Sequence, residues 1–211
     1  NSVNLSRNSE TSQYTSAAIG GTANDVSGVG AIAAGCTNCD VAGAYALASG
    51  SAARSTLRSE QVQGGGGTAK AGHHQFRRII AWNDFTGTGT ANMYLDGTGA
   101  DLVIPDSTVW AGTIRCTAIV SVAGTGTSEG DYKHYNARFY AKNIGGTISA
   151  GAVDESSGLL EDGGFVGSGS SINVSTLPAS NAMSLFINNI PGSASSETSC
   201  TCTLDITESG Y

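Results

Sequence analysis

Apolar and polar residues alternate along two long segments in the second half of the chain. In residues 109–122 and 132–142 most apolar side chains fall on every second position. Alternation with a period of two predicts β-strands that bury one face. The positions predicted to be buried are Trp110, Ile114, Cys116, Ala118, Val120 and Val122 on the first segment, and Tyr135, Ala137, Phe139 and Ala141 on the second.

Six shorter segments of the same half are rich in apolar, β-branched or aromatic residues. Turns of Gly, Ser, Thr and Asp separate them, so they are also predicted to be strands. They span residues 76–82, 91–95, 147–153, 171–174, 182–187 and 199–206. Eight short strands with such turns predict an antiparallel, jelly-roll-like β-sandwich.

Residues 17–65 instead repeat a short unit rich in Gly and Ala. Its aliphatic members, spaced by 13, 15 and 15 residues, are Ile19, Ile32, Leu47 and Val62. A period of about 14 to 15 residues predicts stacked coils of a parallel β-roll, each with two short strands and two turns. We expect one aliphatic residue per coil to fill a narrow interior. The corners would be left-handed turns at Gly28, Gly35, Gly43 and Gly50.

Three or four such coils bury little apolar surface. A thin, Ala-rich roll is expected to need further chains to complete its core. The sequence therefore predicts an intertwined homotrimer.

The central units, SGVGAIAAG at residues 27–35 and AGAYALASG at residues 42–50, resemble the head repeat of trimeric autotransporter adhesins, which also occurs in phage tail fibres. The resemblance implies a left-handed parallel β-roll with three chains around one axis. The second half is similar to the C-terminal β domains of phage tail fibres. That similarity rests on residues 102–105, residues 108–110 and a final hairpin of residues 183–190 with 199–207. It implies a distal tip that contacts the host.

These patterns divide the chain into three parts. Residues 1–16 lack periodicity and are predicted to be an extended segment. Residues 17–72 form the β-roll, which ends near the four glycines at 64–67, and residues 73–211 form the C-terminal β-sandwich. Because the chain begins with Asn1 rather than Met, we expect a processed chain or a part of a longer product.

Charge and composition narrow the classes of partner. The formal net charge is −7, and the one adjacent basic pair is Arg77 and Arg78. A nucleic-acid binder usually carries a basic patch, so no nucleic-acid partner is expected. No run of 18 apolar residues occurs, so we expect no membrane insertion.

Five cysteines leave their pairing open. They are Cys36, Cys39, Cys116, Cys200 and Cys202. Buried free thiols, one disulfide, or a metal site at the Cys-x-x-Cys pair are all compatible with the spacing. Cys200 and Cys202 should share one face of a strand.

Residues that could carry chemistry occur mostly in turn-like contexts. The Gly-x-Ser-x-Gly sequence at 126–130 joins two strands and is read as a hairpin turn. The Asp-rich loop at 96–101 is read as a turn rather than a calcium site. His73 and His74 could bind a metal on a threefold axis, but an exposed or packed pair is favoured. His134 lies mid-strand.

The carboxylates that could cleave a glycan are Asp131, Asp154, Glu155, Glu161 and Asp162.

We therefore predict no catalytic residues, no metal site, no cofactor and no enzymatic activity. The predicted function is that of a virion fibre or spike protein, extracellular, which attaches the particle to a host surface glycan. Its partners would be two further copies and other tail or baseplate proteins. Receptor-binding residues stay unassigned, and the aromatic residues that could form a glycan platform are Tyr132, Tyr135, Tyr140, Trp110 and Trp82.

Two alternatives stay open. One is a purely structural fibre, such as a capsid decoration fibre or a bacterial surface adhesin fragment. The other is a glycan-degrading tailspike, which would use paired carboxylates.

Overall fold

The computed structural model describes residues 3–7, 9–65, 74–154 and 161–210. Across these residues the protein is all-β, as the sequence predicts, with two short 3-10 helices at Gly163–Phe165 and Pro178–Ser180. The strands are β1 Val3–Arg7, β2 Glu10–Thr11, β3 Ala17–Thr22, β4 Asp25–Val26, β5 Ile32–Thr37, β6 Asp40–Val41, β7 Leu47–Ser51, β8 Arg54–Ser55, β9 Gln61–Gly65, β10 His74–Thr86, β11 Gly89–Met93, β12 Leu102–Val103, β13 Thr108–Val122, β14 Tyr132–Ile144, β15 Thr147–Asp154, β16 Ser171–Leu177, β17 Ala182–Ile190 and β18 Glu197–Gly210.

The chain divides into two compact units. The first contains residues 1–79, 107–110 and 205–211. The second contains residues 80–106 and 111–204.

The first unit is a β-solenoid of about four turns. Its two parallel sheets have the strand orders β1-β3-β5-β7-β9 and β2-β4-β6-β8. Ala17, Ile32, Leu47 and Gln61 are aligned between neighbouring strands, so successive coils contain 15, 15 and 14 residues. The predicted coil length is therefore confirmed.

The residues that line the interior of the solenoid differ from the predicted ones. One aligned inward row consists of Ala18, Ala33, Ala48 and Val62. The prediction that the aliphatic residues fill the interior is right for Val62. It is wrong for Ile19, Ile32 and Leu47, whose exposed fractions are 46%, 38% and 38%. Neighbouring residues of a strand point to opposite faces, so the inward alanines place these larger side chains outside.

The corner turns also differ from the prediction. Gly35 and Gly50 do have positive φ, but Gly28 and Gly43 do not. Gly43 is required for space instead, because an added Cβ would lie 2.0 Å from the carbonyl oxygen of Leu57. Another left-handed corner that recurs in successive coils is formed by Thr15, Gly30, Tyr45 and Ser59. Since three of these are not glycines, composition gives no signal for this corner.

The solenoid also begins earlier than the predicted β-roll. Strand β1 pairs in parallel with β3, and β2 pairs in parallel with β4. Part of the predicted extended segment 1–16 is thus ordered as strands. The predicted boundary near residue 72 lies in residues 66–73, outside the described part of the chain, and stays a prediction.

All eight strand segments predicted for the second half of the chain are strands. The strands β10-β18-β13-β14-β15 are neighbours in that order, and β17 pairs with β11, β12 and β16 in another sheet. The predicted buried positions of β13 and β14 are buried except Val122, which is 44% exposed at the end of its strand. The jelly-roll-like sandwich stays a prediction, as does the homotrimer.

A disulfide joins Cys116 on β13 to Cys202 on β18. Cys36, Cys39 and Cys200 are free, buried thiols. Two of the alternatives left open by the spacing therefore hold together: one disulfide and three free thiols. Cys200 and Cys202 are both buried, as their shared parity predicts. Within the described ranges no helix has the length and apolarity needed to cross a membrane.

Candidate functional site

The outward side chains of β14 form the most chemically varied exposed surface of the second unit. Alternation along the strand places them on the face opposite the buried Tyr135, Ala137 and Phe139. We call this surface the β14 outer face, and it consists of Tyr132, His134, Asn136, Arg138, Tyr140 and Lys142.

Tyr140 lies at the centre of the cationic part of this face. It is paired across the strands with Gly151 of β15, and its ring lies directly over that glycine. A Cβ at residue 151 would come within 2.9 Å of the ring carbon Cε1. The ring is thus supported on one side by backbone, and the side chain remains 51% exposed. An exposed aromatic ring held in this way can stack against the apolar face of a ligand.

Tyr132 and His134 form the other end of the face. The two rings meet edge to face, with their centroids 5.5 Å apart. The Nδ1 atom of His134 shares a hydrogen bond of 2.7 Å with the Oγ1 atom of Thr117 on β13. Both aromatic side chains are therefore held in place by neighbours on the sheet.

The charge of this face is opposite in sign to that of the protein. The chain carries a formal net charge of −7. The outward positions of β14 nevertheless include Arg138 and Lys142 and no acidic residue, and β13 contains Arg115 and no acidic residue. Arg115 and Arg138 also interact within the chain. A guanidinium has five N–H donors, so an internal contact does not exhaust it.

The other candidate aromatic residues are less suitable as platforms. Trp110 and Tyr135 are buried, with exposed fractions of 0% and 2%. The hydroxyl of Tyr135 bonds to Oγ of Ser170. Trp82 also lies against a glycine, Gly97, but it is less exposed than Tyr140, at 39% against 51%. Of the five candidates, Tyr140 is the supported ring with the larger exposure.

Three of the five candidate carboxylates lie close together at the start of β14. Asp131 accepts hydrogen bonds from the backbone N–H groups of Ser128 and Gly164. Glu161 forms an ion pair of 2.9 Å with Lys133. The side chain of Asp162 accepts from the N–H of Gly163. Asp154 ends β15, and Glu155 lies outside the described residues.

This arrangement anchors the segment after residue 160 rather than forming an acid–base pair. Backbone hydrogen bonds from Gly164 and Ser128 lower the pKa of Asp131, and the ammonium of Lys133 lowers the pKa of Glu161. A general acid of glycan cleavage needs a raised pKa. Neither carboxylate therefore has the environment of that acid.

A second carboxylate cluster was missed by the sequence analysis. In the first unit, Arg77 is fully buried between Glu60 and Glu208, with N–O distances of 2.6 Å to Glu60 and 2.7 Å to Glu208. The indole N–H of Trp110 and the amide of Gln75 donate to Glu208. Glu60 also accepts from two backbone N–H groups. Desolvation by burial acts to lower the pKa of Arg77, but the carboxylates of Glu60 and Glu208 together outweigh it, and the pKa is raised.

The remaining candidates have ordinary structural roles. The carboxylate of Asp96 accepts from three successive backbone N–H groups, which confirms a turn and lowers its pKa. The Gly126–Gly130 sequence joins β13 to β14 as a hairpin turn. His74 is exposed on β10, and His73 lies outside the described residues. No cluster of three metal-ligating side chains occurs in the described ranges.

The first unit also has an open depression of about 300 Å³, lined in part by Gln63, His74 and Phe76. Gln63 and Phe76 are paired across β9 and β10 and continue the outward row that contains Ile19. The depression therefore belongs to the same surface as the exposed aliphatic residues of the solenoid.

Comparisons with known proteins identify no family. No family model and no curated protein matches the chain. Three solved structures similar to it are tailspike proteins of phages. That of Acinetobacter baumannii bacteriophage Fri1 has 10% identity and a TM-score of 0.33, covering 97% of this chain and 36% of that chain. That of Acinetobacter baumannii phage AM24 has 8% identity and a TM-score of 0.32, covering 87% and 36%. That of Acinetobacter phage vB_ApiP_P1 has 12% identity and a TM-score of 0.27, covering 100% and 47%.

The chain thus spans roughly a third to a half of the length of these tailspikes. The Fri1 protein is described as a capsular polysaccharide depolymerase, which is an enzyme. This finding contradicts the prediction that the chain has no enzymatic activity, and we correct that prediction. The likeness is too low to assign chemistry to particular residues of this chain.

Proposed function

We propose that the chain belongs to a phage tail attachment protein of the fibre or spike type, which binds a glycan of the host surface. The observation that carries this proposal is the β14 outer face, where the ring of Tyr140 is supported by Gly151 and flanked by Arg138 and Lys142. An aromatic ring beside hydrogen-bond donors suits a sugar, whose apolar face can stack while its hydroxyls bond to neighbouring side chains.

The sequence resemblance supports the placement in a virion. A Gly/Ala-rich repeat that resembles the phage tail-fibre unit forms a solenoid here. In such an assembly the protein would be extracellular and would contact other tail or baseplate proteins.

The homotrimer is part of this proposal. Its support is an apolar strip on the outside of the solenoid, which consists of Val3, Leu5, Ile19, Ile32 and Leu47. These residues fall in two outward rows of the parallel sheet formed by β1, β3, β5 and β7. A contiguous exposed apolar surface favours association. A parallel roll with three chains around one axis would bury it.

The glycan proposal is tested by adsorption of the purified full chain to host cells. We expect the chain to bind cells and Tyr140→Ala to bind at least about tenfold less, because the stacking surface is removed. Tyr45→Ala is the matched control, since Tyr45 is also exposed and lies over a glycine, Gly30, but in the first unit. Equal loss in both variants, or no binding by the unaltered chain, would contradict the proposal. Because the Fri1 tailspike is described as a depolymerase, released reducing ends should be assayed in the same samples.

The trimer is tested by native mass measurement. We expect a species of about three times the chain mass of 21.2 kDa. The double variant Ile32→Ser with Leu47→Ser should shift the mass to that of one chain, because polar side chains replace the strip. Val103→Ser with Val166→Ser, two exposed apolar residues of the second unit, is the control and should remain trimeric. A monomeric unaltered chain would refute the trimer without affecting the glycan proposal.

A further inference from the structure

The β14 outer face combines features that select for a charged ligand. Arg138, Tyr140 and Lys142 occupy alternate positions of one strand and are exposed on one face. At about 3.4 Å per residue, the Cα atoms of Arg138 and Lys142 lie roughly 14 Å apart, with Tyr140 between them. Over this distance each cation can contact a separate anionic group of an extended ligand.

The positions next to this part of β14 carry no acidic side chain. On β15 the positions opposite Arg138, Tyr140 and Lys142 are Val153, Gly151 and Ser149, none of which is acidic. The neighbouring strand β13 carries Arg115 and no carboxylate. These paired positions thus add no negative charge beside Arg138 and Lys142, on a chain whose formal charge is −7.

From this arrangement we propose that the β14 outer face binds an acidic polysaccharide, whose carboxylates contact Arg138 and Lys142 while a sugar ring stacks on Tyr140. The proposal rests on the glycan attachment proposed above and names the class of glycan. Arginine forks suit carboxylate groups, and each charge-assisted hydrogen bond is stronger than a neutral one. Repeated uronate units along one chain would engage both cations at once.

A nucleic acid would offer similar anionic groups. It is less suited, because its bases require stacking platforms along a continuous basic groove. Here the described strand offers one supported and highly exposed ring between two cations. We therefore commit to the polysaccharide and use an oligonucleotide as a competing probe.

The experiment measures binding of the full chain to three fluorescent probes. These are a hexasaccharide of alternating glucuronate and N-acetylglucosamine, a neutral N-acetylglucosamine hexasaccharide, and a single-stranded oligonucleotide of the same charge as the first. We expect the uronate probe to bind at least about tenfold more tightly than either other probe at low salt, and to weaken as salt is added.

Variants connect the binding to these residues. Arg138→Ala with Lys142→Ala should weaken uronate binding at least about tenfold and reduce its salt dependence. Arg54→Ala with Arg58→Ala removes the same charge from the exposed solenoid surface and should leave binding unchanged. Both variants should keep the circular dichroism spectrum of the unaltered chain.

The outcomes separate this proposal from the one that it rests on. Equal binding of the neutral and uronate probes, unaffected by loss of the two cations, would overturn the acidic class while attachment to glycans stands. Oligonucleotide binding as tight as uronate binding would overturn selectivity for a polysaccharide. If neither sugar binds and host cells are not adsorbed, both proposals fail.

Discussion

The two units of this protein are stabilised in different ways. The solenoid repeats one coil, and its interior row is mostly alanine. The second unit has an antiparallel sheet with large buried side chains such as Ile114 and Phe139, and a disulfide between Cys116 and Cys202. Each coil buries little surface by itself, so the solenoid depends on close backbone stacking and on what covers its ends and outer face. The second unit depends on contacts between residues far apart in sequence.

The largest expected loss of stability is in the unit that contains the solenoid. Arg77→Met leaves the buried carboxylates of Glu60 and Glu208 without their cation. Removing one member of a buried ionic group typically costs about 3–5 kcal/mol of unfolding free energy. Urea denaturation at fixed protein concentration measures it. Arg78→Met, which removes a half-exposed partner of Asp205, is the neighbouring control and should change stability little. Similar losses in the two variants would show that burial of Arg77 does not matter.

The disulfide provides the matching test in the second unit. Cys116→Ala with Cys202→Ala opens a link across 86 residues of sequence. We expect a loss of about 2–4 kcal/mol, because the unfolded chain regains freedom. Thermal and urea unfolding of the oxidised protein supply the measurement. The single variant Cys200→Ala removes a buried free thiol on the same strand and should cost less. A double variant as stable as this control would argue that the link contributes nothing.

A smaller effect tests how closely the coils stack. Gly43→Ala places a Cβ against the carbonyl of Leu57 and should cost about 1–3 kcal/mol, as in other overpacked sites. The Cβ added by Gly35→Ala would have no atom within 4 Å. The loss of stability would therefore arise only from the positive φ of 61°. Its expected cost is about 1 kcal/mol. Urea midpoints of the two variants give the comparison, and a larger loss at Gly35 would indicate that backbone strain outweighs close approach.

The smallest expected effect is the pH dependence of stability that Asp131 contributes in the second unit. The folded structure lowers the pKa of Asp131 through its backbone hydrogen bonds. The ionised carboxylate therefore stabilises the fold above the unfolded pKa of about 3.9, and this contribution disappears as pH falls through the lower folded pKa. Asp131→Asn should be less stable than the unaltered chain at neutral pH, and the gap should close in strong acid. Glu129→Gln serves as the charge control. A gap independent of pH would contradict this account.

Much of the fold could be predicted from patterns of one or two dozen residues. Alternation placed Tyr135 with the buried residues of β14 and Tyr140 with the outward ones, and the structure agrees. The repeat gave the solenoid and its coil length. The repeat does not show whether the side chains of Ile19, Ile32 and Leu47 point into the solenoid or outward, because inward and outward positions recur with the same period. Only the pairing register decides between them.

The candidate site was predictable only in part. Tyr140 was among the candidate platforms, but its support by Gly151 depends on the register of β14 with β15. The ionic group around Arg77 could not be found from sequence, because Glu60 and Glu208 lie 17 and 131 residues away from it.

The sequence by itself therefore determined the all-β class, the repeating coil and the alternation of each long strand, since these follow from local side-chain order. The tertiary structure decided which face of the solenoid is apolar, which aromatic ring is supported and exposed, and how a buried arginine is neutralised. Those features require residues distant in the chain to meet, and the free energy of such contacts depends on packing that no local pattern contains.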